Sequence, residues 1–144
     1  MSLILATVQI LRDAGVADGR VYGVKIPDRE TAHMPRKAVT VRGSGGGVAN
    51  AGGYMPTGDQ RLDIKCFGAD PWEAGYVDGQ VAAVLHQWRR QLVSVTTPDG
   101  DDLELIVGSF IHTGGANELT DPDTDWPFSL SVWQVFGEKY LPGG

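Results

Sequence analysis

Asp121-Pro122-Asp123-Thr124-Asp125 sets three carboxylates at alternate positions, the way a calcium loop opens, and hard cations favour such clusters of oxygen ligands. The remainder of that loop is missing. Trp126 holds the sixth position, where glycine makes the sharp turn, and Val132 the twelfth, where a bidentate glutamate belongs, so an EF-hand is excluded. A looser cation site and a solvated acidic loop both remain open. Gly43-Ser44-Gly45-Gly46-Gly47 invites a phosphate-loop reading, yet a Walker loop needs Lys and then Ser or Thr after its last glycine, and Val48-Ala49-Asn50 follow here. No βαβ unit follows for a dinucleotide fingerprint, and the cluster reads as a flexible loop.

Nucleophilic chemistry finds as little support. Gly43-Ser44-Gly45 is too short for a G-x-S-x-G elbow, and His33, His86 and His112 fall in a loop, on a helix and near a strand end with no ligand spacing between them. Cys66 is the single cysteine, on the alternating face of a strand, and reads as a small buried hydrophobe. No catalytic, cofactor or metal residue is assigned, and a non-enzyme is expected. What stands out is aromatic. Trp88 belongs to a core stripe, whereas Trp72 and Trp126 fall off the stripe and strand patterns and qualify for contact with another subunit or for local packing.

The bulk composition narrows the classes further. At 144 residues, 42% hydrophobic and 21% charged, the chain has the size and balance of one globular domain. No apolar run reaches the length of a membrane helix, the N-terminus lacks a basic n-region, and a cytoplasmic place of synthesis is expected. Net charge is −6 with Lys and Arg scattered, which argues against a surface that grips nucleic acid.

The elements that must hold these residues follow from periodicity. Leu3, Ile4, Leu5, Val8 and Leu11 recur at helical spacing, and Gly15 and Gly19 end a first helix of about Ser2 to Ala14. Val21, Tyr22 and Val24 form a short strand stopped by Pro27, and Ala38 to Arg42 a second one entered after Pro35. A glycine-rich excursion runs from Gly43 to Gly58 and includes Tyr54 and Met55. Loops this long inside a domain are uncommon, which makes it a candidate for reaching a partner.

The clearest segment is Gln60 to Trp88. Leu62, Ile64 and Cys66 alternate with Asp63, Lys65 and Phe67, and Gly68 breaks the strand. Asp70 stands at the N-cap, Pro71 at the first helical position and Glu73 at N3, while Val77, Val81, Val84, Leu85 and Trp88 make one apolar stripe on a helix about 30 Å long. Turn chemistry at Thr97 to Asp101 precedes a strand through Leu103, Leu105 and Val107 to about His112. A polar loop from Gly114 to Pro127 then leads to a last strand with Phe128, Leu130, Val132, Gln134 and Phe136 on one face and Ser129, Ser131, Trp133 and Val135 on the other. The expected fold is α+β: a mostly antiparallel or mixed sheet of about five strands with two helices on one face.

Val21-Tyr22 with Pro27, the Pro-led strand Met34-Pro35-Arg36-Lys37-Ala38-Val39-Thr40-Val41, the glycine-rich excursion, and Arg61-Leu62-Asp63-Ile64-Lys65-Cys66-Phe67-Gly68-Ala69-Asp70-Pro71-Trp72 leading into a helix that ends Val81-Ala82-Ala83-Val84-Leu85-His86 resemble the tail terminator family of long-tailed bacteriophages, also called tail-completion or minor tail proteins. The likeness covers roughly residues 1 to 90. It implies a structural virion protein at the head-proximal end of the tail, assembled in the host cytoplasm. Such a protein forms a homo-hexameric ring that caps the tail tube, ends its polymerisation and meets the head–tail connector protein. DNA passes through an acidic channel without specific binding, and neither a cofactor nor a membrane is involved. Residues 99 to 140 are richer than a minimal member needs and read as an added binding surface. The interface candidates are Gly43, Ser44, Gly45, Gly46, Gly47, Tyr54, Met55, Trp72, Asp121, Asp123, Asp125 and Trp126. Another phage neck or connector protein is the nearest alternative; a small ligand-binding or hydrolase domain is a more distant one and requires a concave pocket with convergent polar groups.

Overall fold

The computed structural model describes residues 2–43, 57–97 and 99–139. In chain order these residues form α1 (Ser2–Asp13), a short 3-10 turn (Val16–Gly19), β1 (Val21–Gly23), the one-turn helix α2 (Asp28–Thr31), β2 (Ala38–Gly43) and β3 (Thr57–Phe67). They continue with α3 (Pro71–His86), β4 (Gln91–Thr96), β5 (Asp102–Thr120) and β6 (Pro127–Lys139).

One mixed sheet takes the order β1-β2-β3-β6-β5-β4, parallel between β1 and β2 and antiparallel elsewhere. Period-two alternation sorts its side chains. Val39, Val41, Leu62, Ile64, Trp133 and Val135 turn inward and share one buried cluster with Ile4, Val8 and Leu11 of α1 and Val77, Val81 and Leu85 of α3. Because α1 packs against both edge strands, β1 and β4, as well as β2, β3 and β5, the sheet curls around it. A second, smaller cluster of Ile26, Ala38, Phe67 and Phe128 fills part of the opposite face.

Local rules account for the ends of these elements. Gly15 adopts φ +75°, the left-handed conformation that closes α1. At the start of α3 the Asp70 carboxylate accepts from the Glu73 amide at 2.8 Å, while the Glu73 side chain reaches back to the Ala69 amide at 3.0 Å. A β-carbon on Gly68 would lie 2.3 Å from the Ala74 nitrogen, so the strand meets the first turn of α3 too closely for any other residue.

Three expectations are corrected. Among the described residues the sheet has six strands where about five were expected, because Gln91–Thr96 is a strand. Its inward Val93 and Val95 alternate with Leu92 and Ser94, and it begins only a few residues after the helix stripe ends. The loop from Gly114 to Pro127 shrinks to a turn of residues 121–126. β5 stays paired with β6 as far as Thr120, with register shifts at Val107/Ser109, His112/Gly114 and Gly114/Asn117 that break the alternation a sequence reading depends on. The excursion from Gly43 to Gly58 is shortened at both ends, since Gly43 pairs with Leu62 in β2 and Thr57 and Gly58 pair with Glu138 and Gly137 in β3; its remainder lies outside the described residues.

Candidate functional site

On the face of the sheet away from α1 and α3, a groove of about 530 Å³ opens over β2, β3 and β6. Thr40, Arg42, Asp63, Lys65, Phe67 and Leu130 make its floor, set there by the pairings Thr40 with Lys65, Arg42 with Asp63 and Lys65 with Leu130. Val24, Lys25, Ile26 and Thr31 wall one side; Asp121, Thr124 and Trp126 wall the other. The first wall is strained. Val24 takes φ +68° at the centre of a γ-turn closed by the Lys25 amide donating to the Gly23 carbonyl at 2.8 Å, a conformation that a β-branched residue rarely adopts.

Charge in the groove is mixed. Lys25, Arg42 and Lys65 converge with Asp63 and Asp121, and among the described residues none of the three cations forms an ion pair. The Lys65 ammonium stands 5.0 Å above the centroid of the Phe128 ring. Asp121 organises the turn. Its carboxylate accepts from the amides of Asp123 at 2.9 Å and Thr124 at 3.1 Å, and those bonds, the Asp123 one foremost, hold its carboxyl below the usual carboxylate range, with Lys65 adding to the effect. Asp123 and Asp125 point their chemistry to solvent, and Asp125 sits at φ +60°. Among the described residues no group of three or more His, Cys, Asp or Glu side chains is placed to hold a metal ion.

The aromatic candidates separate. Trp126 is half-buried and meets Phe67 edge-on at 6.1 Å between centroids, part of the second cluster. Trp72 is 89% exposed on α3, one turn before Tyr76 at 62%. Gly43 ends β2, where a β-carbon would lie 3.0 Å from the side-chain tips Gln60 Nε2 and Ile4 Cδ1. Ser44, Gly45, Gly46, Gly47, Tyr54 and Met55 lie outside the described residues.

Sequence reasoning did not single out Tyr76, Leu92, Ile111 or Phe136, which are also exposed. Tyr76 was legible as the residue four beyond Trp72 on the same helix face. The other three become neighbours only through strand pairing. Nor did histidine spacing show that His86 and His112 meet: their rings lie 4.9 and 4.7 Å from the fully buried Trp133, 6.3 Å from each other. Cys66 is buried as expected. Burial, with the neighbouring Asp78 carboxylate, pushes its thiol well above the ordinary range.

A scan against protein-family models finds no match to this chain, and a search of curated proteins finds none.

Proposed function

We propose that this chain is a structural subunit that acts by binding, without turnover: a tail-terminator-like protein whose copies form a ring on a phage tail tube, end its polymerisation and offer a surface to the head–tail connector. The observation that carries the reading is the bare aromatic face of α3, where Trp72 and Tyr76 stand in solvent on the side of the helix opposite the buried Ala74, Val77, Val81 and Leu85. Large apolar side chains held out in this way mark protein interfaces. The order of sequence elements through residue 90 supports the same reading, and so does the charge of −6 per chain, a sign that does not grip DNA. A homo-hexamer is the proposed ring, and no helix among the described residues is long and apolar enough to cross a membrane.

The test is the mass of the full chain in solution at several concentrations, with and without purified tail tubes. A ring, alone or on the tubes, together with arrested tube elongation supports the reading. A chain that ignores tubes sinks it, and one that binds a portal-side partner in their place indicates another neck protein.

The groove favours a second reading, a small ligand-binding domain, because it is concave and brings the polar groups of Thr40, Arg42, Asp63 and Lys65 together beside the apolar Phe67 and Leu130.

A further inference from the structure

The outward side of α3 carries one continuous uncharged stripe. Trp72, Gly75, Tyr76, Gly79 and Ala83 fall within about 100° of one another around the helix, and all five are exposed. The two glycines are informative. Glycine is disfavoured in a helix interior, and a β-carbon at Gly75 or Gly79 would meet nothing within 4 Å in this chain. The subunit's own packing therefore has no use for them, whereas a neighbour whose side chains approach the helix backbone does.

A matching surface lies on the far side of the sheet. Leu92, Ile111 and Phe136 are 47%, 51% and 38% exposed, and strand register makes them one patch. Leu92 pairs with Ile106, Ile106 with Glu138, and Phe136 with Ser109, so that Phe136 is the diagonal neighbour of both Ile106 and Ile111. Arg90, paired to Glu138, edges this patch, while Glu73 and Asp78 flank the α3 stripe. The areas are also commensurate. At 150–250 Å² per ring, Trp72 and Tyr76 leave on the order of 350 Å² uncovered, the scale of the apolar centre of an interface that buries about 800 Å² per partner.

We propose that the stripe on α3 of one copy packs across the outer face of β4, β5 and β6 of the next, with Gly75 and Gly79 at the closest approach. The two surfaces lie on opposite faces of the sheet, so the contact is heterologous: every copy keeps one free donor face and one free acceptor face until rotation closes a ring. This inference rests on the self-assembly part of the proposed function and names the surfaces that carry it.

The experiment measures the mass of the full chain across a concentration series for the wild type, Trp72→Glu, Phe136→Glu and the double variant Gly75→Leu/Gly79→Leu. All three variants lose association by about tenfold or more in concentration. Gly75→Leu/Gly79→Leu does so while melting no lower than the wild type, because leucine is the better helix former, which separates a lost interface from a lost fold. Mixing Trp72→Glu with Phe136→Glu restores a dimer and nothing larger, since only one intact pair of faces remains. An assembled Phe136→Glu chain points to a symmetric α3 contact and overturns the proposal, as does an unaltered assembly of the double glycine variant or a wild type that stays monomeric even on tail tubes. An oligomer that responds to the variants as expected but leaves tail tubes untouched upholds the interface and refutes the terminator reading.

Discussion

The Asp70 carboxylate accepts the Glu73 amide hydrogen at 2.8 Å, so the first turn of α3 is tied to the residue that precedes it. Everything α3 positions, from the inward Val77 and Val81 to the outward Trp72, depends on that start. Asp70→Ala removes an N-cap acceptor and is expected to destabilise the chain by about 1 kcal/mol, read as a lower urea midpoint with unchanged slope. Asp70→Asn or Asp70→Ser keeps an acceptor and recovers most of the loss.

Gly68 offers a sharper test of the strand-to-helix junction. Its missing β-carbon leaves room for the backbone of Glu73 and Ala74, which would otherwise lie under 3 Å away, and backbone cannot swing aside as a side-chain tip can. Gly68→Ala is expected to cost about 1–3 kcal/mol. Stability equal to the wild type in a thermal melt would show that the junction relaxes without strain.

Asp121 gives the acidic turn a pH dependence of known sign. Its folded carboxyl is held low, chiefly by the Asp123 amide, so its contribution is fully present above the unfolded value of about 4 and is lost as pH falls through the folded one. The protection of the Asp123 and Thr124 amides against exchange, relative to the intrinsic rate at each pH, should therefore fall in acid while that of the sheet is kept. Asp121→Asn keeps the acceptor oxygen, drops the charge and flattens the dependence. The effect is local and small, because the carboxylate is solvent-exposed.

Cys66 behaves in the opposite sense. Burial raises its thiol, so the stability it contributes is intact below the unfolded value of about 8.5 and declines as pH climbs above it. Iodoacetamide should label the native chain far more slowly than the urea-unfolded one, and Cys66→Ala should remove the part of the alkaline decline that begins near that pH. Rapid labelling of the native chain would contradict the buried geometry.

The parts of the molecule legible in the sequence are those that one stretch of chain decides. Asp70-Pro71 with Glu73 announces the start of α3, the spacing Val77, Val81, Leu85 its buried side, Leu62-Ile64-Cys66 the inward face of β3, and Gly15 the end of α1. Each rests on a neighbour no more than four residues away. The far half of β5 was illegible for the same reason in reverse: register shifts at His112/Gly114 and Gly114/Asn117 interrupt its alternation, so Gly114 to Thr120 reads as loop although Gly114 and Asn117 to Thr120 pair with β6.

The sequence by itself determined the α+β class, the cap and stripe of α3 and the buried place of Cys66, because backbone geometry and side-chain period are properties of short segments. Only the tertiary structure decided the order β1-β2-β3-β6-β5-β4, the groove over β2 and β3, the meeting of His86 and His112 at Trp133, and the gathering of Leu92, Ile111 and Phe136 into one exposed patch. These depend on which strands pair and in which register. That is settled by the burial of the whole inward face at once and by the entropy of closing long loops, and no local pattern encodes it.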